Sequence, residues 1–124
     1  MLFFIYQKIT MTPMTYQQKV KSAIGSTLDF NSLPSQEAVA RQLHMSARTL
    51  TRRLRAENTS FKQVLDLYIE QMIMPLIDDC QYGIEDVARR SGYATKESFT
   101  HAFYRWKGVT PTEYRRRIML AATG

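Results

Sequence analysis

Two stretches of the chain superimpose on one another. EAVARQLHMSARTLTRRL (37–54) and EDVARRSGYATKESFTHAF (85–103) match at Glu37 and Glu85, Val39 and Val87, Ala40 and Ala88, and Arg41 and Arg89. One extra residue in the second turn then brings Ser46 onto Thr95, Leu50 onto Phe99 and Leu54 onto Phe103. This duplication restricts the fold more than composition does, because both copies must adopt the same local structure. Two copies are too few for a solenoid, so the repeated unit must be a small module used twice.

The second copy shows what the unit is. From Glu85 to Gly108 it holds a short helix, a turn containing Gly92 and a second helix, the pattern of a helix-turn-helix. Val87 and Ala88 give the first helix a small apolar face, Gly92 can take the left-handed backbone the turn needs, and Thr95 can cap the second helix. That second helix is predicted from Lys96 to about Trp106. At 100° per residue, Phe99, Ala102, Phe103 and Trp106 fall on a packing side, and Glu97, Thr100, His101 and Tyr104 on the other. In the first copy the matching helix runs from Ala47 to about Glu57, with Met45 and Ser46 as turn and cap. Ala47, Leu50 and Leu54 lie opposite Arg48, Thr51, Arg52 and Arg55.

Around the two copies the helical pattern continues. Tyr16, Val20, Ala23, Ile24 and Leu28 recur at helical spacing after Pro13 and predict a helix over about 16–27, capped by Thr15. NSLPS, from Asn31 to Ser35, carries loop and capping signals ahead of a short helix with Val39, Ala40 and Leu43 on its face. Asn58 suits a left-handed stop. From Ser60 to about Met74 a stripe of Phe61, Val64, Leu65, Tyr68 and Met72 predicts the rod that joins the two modules. Gly108 ends the second copy, and TPTE (110–113) is a capping box with Pro111 at the first helical position of a last helix to about Leu120. Arg115, Arg116 and Arg117 on that helix are candidates for phosphate contact. The chain therefore reads as all-α, with about seven helices. A tail (1–14) precedes a first helix-turn-helix subdomain (15–60), a connecting helix (61–77) and a second subdomain (78–124).

Composition narrows the function. Seventeen Lys and Arg against eleven Asp and Glu give a formal charge of +6 over 124 residues, which favours an acidic partner such as nucleic acid or an anionic membrane. The apolar start, MLFFIYQKI, is far short of the roughly 20 residues of a membrane span, and no other run comes close. Cys80 is the only cysteine, so no internal disulfide and no cysteine-based metal site can form, and a reducing, cytoplasmic setting is the simplest expectation. The two histidines, His44 and His101, sit in separate motifs, and no Gly-rich phosphate loop is present. The sequence thus gives no reason to expect an enzyme, a metal or a cofactor.

The exposed faces carry the chemistry of base recognition. Arg48 and Arg52 can each fork onto guanine O6 and N7, Thr51 can bond a base edge or meet a thymine methyl, and Glu97 can accept from cytosine N4. His101 can bond a phosphate or water. Phe99, Phe103 and Trp106 are expected in the core. Two such helices held apart by a rod can enter successive major grooves on one side of a duplex.

LHMSARTLTRRLRAENTSF followed by IEDVARRSGYATKESFTHAFYRWKGVTPTEYRR resembles the DNA-binding region of AraC/XylS-type transcription regulators over residues 16–117. The resemblance implies a homeodomain-like fold in which two helix-turn-helix motifs are joined by a long helix. It also implies a bacterial, sequence-specific binder of double-stranded DNA that acts on transcription and often touches RNA polymerase. The family's base-reading positions fall on Arg48, Thr51 and Arg52, and on Lys96, Glu97, Thr100 and His101. Three features depart from the pattern. Members commonly carry an effector-sensing domain, for which the 34 or so residues before the first motif leave no room. Ile69 and Ile73 stand where an Arg and a small Ala are common. Pro75 falls inside a helix that the resemblance extends from about Phe61 through Ile77, and is expected to stop or kink it near Met74, leaving Pro75–Asp79 as a short joint. The competing expectation is a protein-interaction module whose basic faces bind another protein, for example RNA polymerase, without specific DNA binding.

Overall fold

Most helices of this chain begin at a small hydroxyl side chain that holds the first free amides. In the computed structural model, which describes residues 14–27 and 32–123, seven helices follow one another. They are α1 (Tyr16–Thr27), α2 (Gln36–Gln42), α3 (Ala47–Ala56), α4 (Phe61–Asp78), α5 (Ile84–Arg90), α6 (Lys96–Lys107) and α7 (Pro111–Thr123). Ser35, Ser46, Ser60 and Thr95 accept from the backbone N–H three residues on, capping α2, α3, α4 and α6. At α1 the cap is reciprocal: Thr15 Oγ1 accepts from Gln18 N while Gln18 Oε1 takes Thr15 N–H. α5 starts at Gly83 without a side-chain cap, and Glu85 and Asp86 in its first turn supply negative charge to its N-terminus instead. The expected caps at Thr15, Ser46 and Thr95 are therefore present. Leu28 and Asn31, also singled out by the sequence, lie outside the described residues, as does the tail up to residue 13.

The TPTE motif is only half a capping box. Thr110 Oγ1 accepts from Glu113 N at 3.2 Å, but the Glu113 carboxylate turns forward to Arg116 and Arg117. Two cations one turn ahead on the same helix outcompete the single Thr110 amide behind.

Two buried clusters form. Val20, Ala23 and Ile24 of α1, Val39 and Ala40 of α2, Leu50 and Leu54 of α3 and Val64 of α4 make the first. Ile69, Ile73 and Ile77 of α4, Val87 and Ala88 of α5, and Phe99 and Phe103 of α6 make the second. Leu65 and Tyr68 of α4 pack against both, so one helix belongs to two cores. Of the stripe read from the sequence, Phe61 and Val64 face the first core, Leu65 and Tyr68 face both, and Met72 is half-buried. The isoleucines, four residues apart, are a second stripe facing the other, and they explain why Ile69 and Ile73 replace a polar and a small residue: both are fully buried.

α4 does not stop at Met74. It continues through Pro75 to Asp78, and no separate joint precedes Asp79. Proline removes the bond to the Gln71 carbonyl, yet both Gln71 and Pro75 lie on the exposed side, where water can take that carbonyl. The end of the helix is held from outside: Arg115 of α7 donates from Nε to Ile77 O at 3.0 Å and from one terminal nitrogen to Leu76 O and Asp79 O at 3.2 and 3.4 Å. The Leu76 and Ile77 carbonyls are among those that a helix C-terminus leaves without partners, while the Asp79 carbonyl also accepts from Tyr82 N at 3.1 Å. Arg115, a candidate for phosphate contact by sequence, is thus occupied as a clamp. No helix among the described residues is long and apolar enough to cross a membrane.

Candidate nucleic-acid interface

The two repeated units share their local geometry down to the backbone. Each opens with a short helix carrying a buried Val–Ala pair, Val39–Ala40 or Val87–Ala88. Each then turns through a left-handed residue, His44 (φ 60°) in the first and Gly92 (φ 90°) in the second. Each resumes helix at a hydroxyl cap, Ser46 or Thr95. The second helices then bury equivalent residues, Leu50 and Leu54 in α3, Phe99 and Phe103 in α6, leaving the opposite face to solvent. Asn58 (φ 61°) and Gly108 (φ 76°) take the left-handed conformation expected of them after these two helices.

On α3 the exposed face gathers the residues expected there. Arg48, Thr51, Arg52 and Arg55 are all exposed and, with Thr49, line one open concavity. Among the described residues none of these three arginines takes part in an ion pair. Arg53 is turned away, its guanidinium 5.4 Å from the centre of the Tyr16 ring of α1. Three guanidinium groups on one helical face, with no ion pair among the described residues, create a local positive field suited to a polyanion.

The α6 face is different. Lys96, Glu97, Thr100 and His101 line a second, smaller concavity, with Thr100 half-buried and the others exposed. Here Lys96 and Glu97 bring opposite charges, and Lys96 Nζ reaches Glu85 Oε1 of α5 at 3.5 Å. The structure therefore brings together each predicted set on its own helix, but with a strongly cationic first face and a nearly neutral second one.

Residues that position these helices were harder to find by sequence. Glu57, just past α3, accepts from Tyr16 N at 2.8 Å and Gln17 N at 3.1 Å, capping α1 from the end of α3. At the far end of α6, Arg105 donates to both oxygens of Asp66 on α4 at 3.1 Å, and Lys107 pairs with Glu70 at 2.7 Å. The bond to Glu70 holds the Lys107 ammonium above its ordinary pKa. Beside them, burial pushes the Tyr93 phenol up, and the Asp66 carboxylate adds to the effect. Gln36 at the start of α2 reaches Thr51 itself. All these contacts join residues far apart in the chain and carry no local signal.

Comparison with known proteins agrees with this geometry. A family profile described as a helix-turn-helix domain matches residues 39–117. A Mycobacterium bovis protein named an uncharacterized HTH-type transcriptional regulator is 39% identical over 89 residues, covering 72% of this chain and 26% of its own length. The chain thus spans about a quarter of that relative. A crystal structure described as a DNA-binding transcriptional dual regulator from Escherichia coli K-12 superimposes with a TM-score of 0.77 at 29% identity, covering 89% of this chain and 96% of that one. The transcriptional regulator CdpR from Pseudomonas aeruginosa superimposes with a TM-score of 0.74 at 40% identity, over 82% of this chain and 31% of its own. With the duplicated motif, the connecting helix and the profile match all falling on the same residues, the chain belongs to the AraC/XylS-type family of helix-turn-helix domains.

Proposed function

We propose that this chain binds double-stranded DNA sequence-specifically and thereby regulates transcription, with α3 and α6 entering successive major grooves. The observation that carries the reading is the pair of equivalent, N-capped helices with solvent-facing polar sides, joined by one continuous helix and led by three arginines without anionic partners among the described residues. Eighteen residues make α4 about 27 Å long, of the order of the roughly 34 Å between successive grooves on one side of a duplex. The matched relative and the two superimposed structures are all described as transcriptional regulators, the Escherichia coli one as DNA-binding.

In this reading Arg48 and Arg52 fork onto guanines, Thr51 meets a neighbouring base and Arg55 a phosphate, while Glu97, Thr100 and His101 read the second half-site beside Lys96. The charge difference between the faces assigns most of the electrostatic attraction to α3 and leaves α6 to discriminate by hydrogen bonds.

Footprinting and salt titration test the reading. Protection should appear in two segments about 10 base pairs apart. With about six phosphates neutralised, log affinity should fall against log salt with a slope near −5. A flat salt dependence, or a complex abolished by excess non-specific duplex, would overturn it. Binding to RNA polymerase with no duplex shift would point to a protein-interaction module instead.

A further inference from the structure

The Gln36 side chain lies across the first reading helix. Its Nε2 donates to Thr51 Oγ1 at 2.6 Å and to the Ala47 carbonyl at 3.3 Å. A carbonyl can only accept, so the Ala47 contact fixes which end of the Gln36 amide faces α3: it is the NH2, and both of its hydrogens are engaged. The hydroxyl oxygen of Thr51 is therefore the acceptor in its bond with Gln36. A threonine inside a helix ordinarily sends its own hydrogen back to the carbonyl four residues earlier, which for Thr51 is Ala47. Gln36 approaches that carbonyl instead, and the Thr51 hydrogen is free to point out of the helix, into the concavity shared with Arg48, Arg52 and Arg55.

We propose that Gln36 is a specificity-determining positioning residue that makes the Thr51 hydroxyl an outward donor. The proposal rests on the DNA-binding reading above. In the major groove guanine and thymine present only acceptors near the middle of their edges, cytosine presents only a donor, and adenine presents one of each. A hydroxyl fixed as a donor favours guanine or thymine at the base it meets and disfavours cytosine. The second motif lacks this device. Ile84 stands in the place of Gln36, one residue before the matching glutamate, so the equivalent Thr100 has no amide across it. The two half-sites should therefore differ in how strictly this one position is read.

Selection of bound sites from random duplex DNA tests this, using wild type, Gln36→Ala, Gln36→Glu and Thr51→Val, with helical content checked by circular dichroism for each. Wild type should select against cytosine at one position of the first half-site by about fivefold, the value of one hydrogen bond. Thr51→Val should flatten that position alone, and adding Gln36→Ala to it should change it no further. Gln36→Ala by itself should lose the bias against cytosine, because the Thr51 hydrogen then returns to the Ala47 carbonyl and leaves the oxygen outward. Gln36→Glu should reverse it, because a carboxylate accepts from the Thr51 hydroxyl and turns the oxygen outward to meet adenine N6 or cytosine N4. A Gln36→Glu or Gln36→Ala protein that keeps the wild-type preference, or that weakens every sequence equally, overturns the role of Gln36 while leaving DNA binding intact. If Thr51→Val changes nothing while Arg52→Ala relaxes a base, Thr51 does not read DNA and the proposal falls. A wild type that selects no sequence at all overturns the proposal together with the DNA-binding reading.

Discussion

His44 and Gly92 occupy the same place in the two turns and share a left-handed backbone, but only Gly92 has the residue type that this conformation suits. A side chain there costs roughly 1–2 kcal/mol, against about 0.5–1 kcal/mol that glycine loses through its greater freedom when unfolded. His44→Gly should therefore raise stability by about 0.5–1 kcal/mol, read as a higher urea midpoint at unchanged slope. A lower midpoint would show that the exposed imidazole contributes more than it costs. This position also marks the limit of legibility at the residue scale. The caps at Ser46 and Thr95 and the left-handed Gly92 are chemical signals printed in the sequence. Histidine is not a turn signal, and its conformation follows only from the geometry its twin demands. The reading faces were legible because helical periodicity separates Leu50 and Leu54 from Arg48 and Arg52. What periodicity could not show is that Gln36 constrains Thr51, or that Arg53 leaves the face for Tyr16. Arg52→Ala should cost about 1–3 kcal/mol on the selected site and relax one base pair, whereas Arg116→Ala, already paired to Glu113, should weaken all duplexes alike if it changes binding at all. Equal losses on selected and random DNA for Arg52→Ala would remove it from base readout.

Among elements, α4 departs furthest from expectation. Its proline was a sound local signal for a helix end, and the signal lost because Pro75 stands on the solvent side while Ile73 and Ile77 on the other side are fully buried. Burial of an isoleucine contributes about 1.5–3 kcal/mol, enough to offset much of the roughly 3 kcal/mol that proline costs within a helix. The Arg115 clamp supplies the remainder, and no pattern in the sequence could reveal it, since its acceptors are backbone carbonyls 36 to 39 residues away. Arg115→Ala should then fray the last turn of α4, lowering helical content slightly and stability by about 1.5–3 kcal/mol, the range for charged hydrogen bonds. Arg115→Lys should recover only part of the loss, because an ammonium cannot span three carbonyls as a guanidinium fork does. Unchanged stability with a smaller salt slope of DNA binding would instead make Arg115 a phosphate contact.

At the scale of the molecule, the question is how firmly the second reading helix is phased to the first. Two kinds of contact hold α6 to α4. The ion pairs Arg105–Asp66 and Lys107–Glu70 are partly exposed, and such pairs contribute no more than about 0.5–1 kcal/mol each. The apolar seam in which Ile69, Ile73 and Ile77 share a buried cluster with Val87 and Ala88 of α5 and Phe99 and Phe103 of α6 contributes several times as much. The seam therefore sets the phase, and because α4 runs unbroken into it, the two heads should move as one body. One added base pair between the half-sites rotates the second by about 34° and shifts it by about 3.4 Å, which a rigid pair of heads cannot follow. Wild-type protein should lose at least tenfold in affinity on such a duplex. Ile73→Ala opens a cavity in the seam, and should cost about 2–5 kcal/mol of stability. It should also bind the two spacings more equally, while Asp66→Asn, which touches only an ion pair, should leave the wild-type preference nearly intact. Wild type binding both spacings alike would show that the heads are not rigidly coupled through the buried isoleucines.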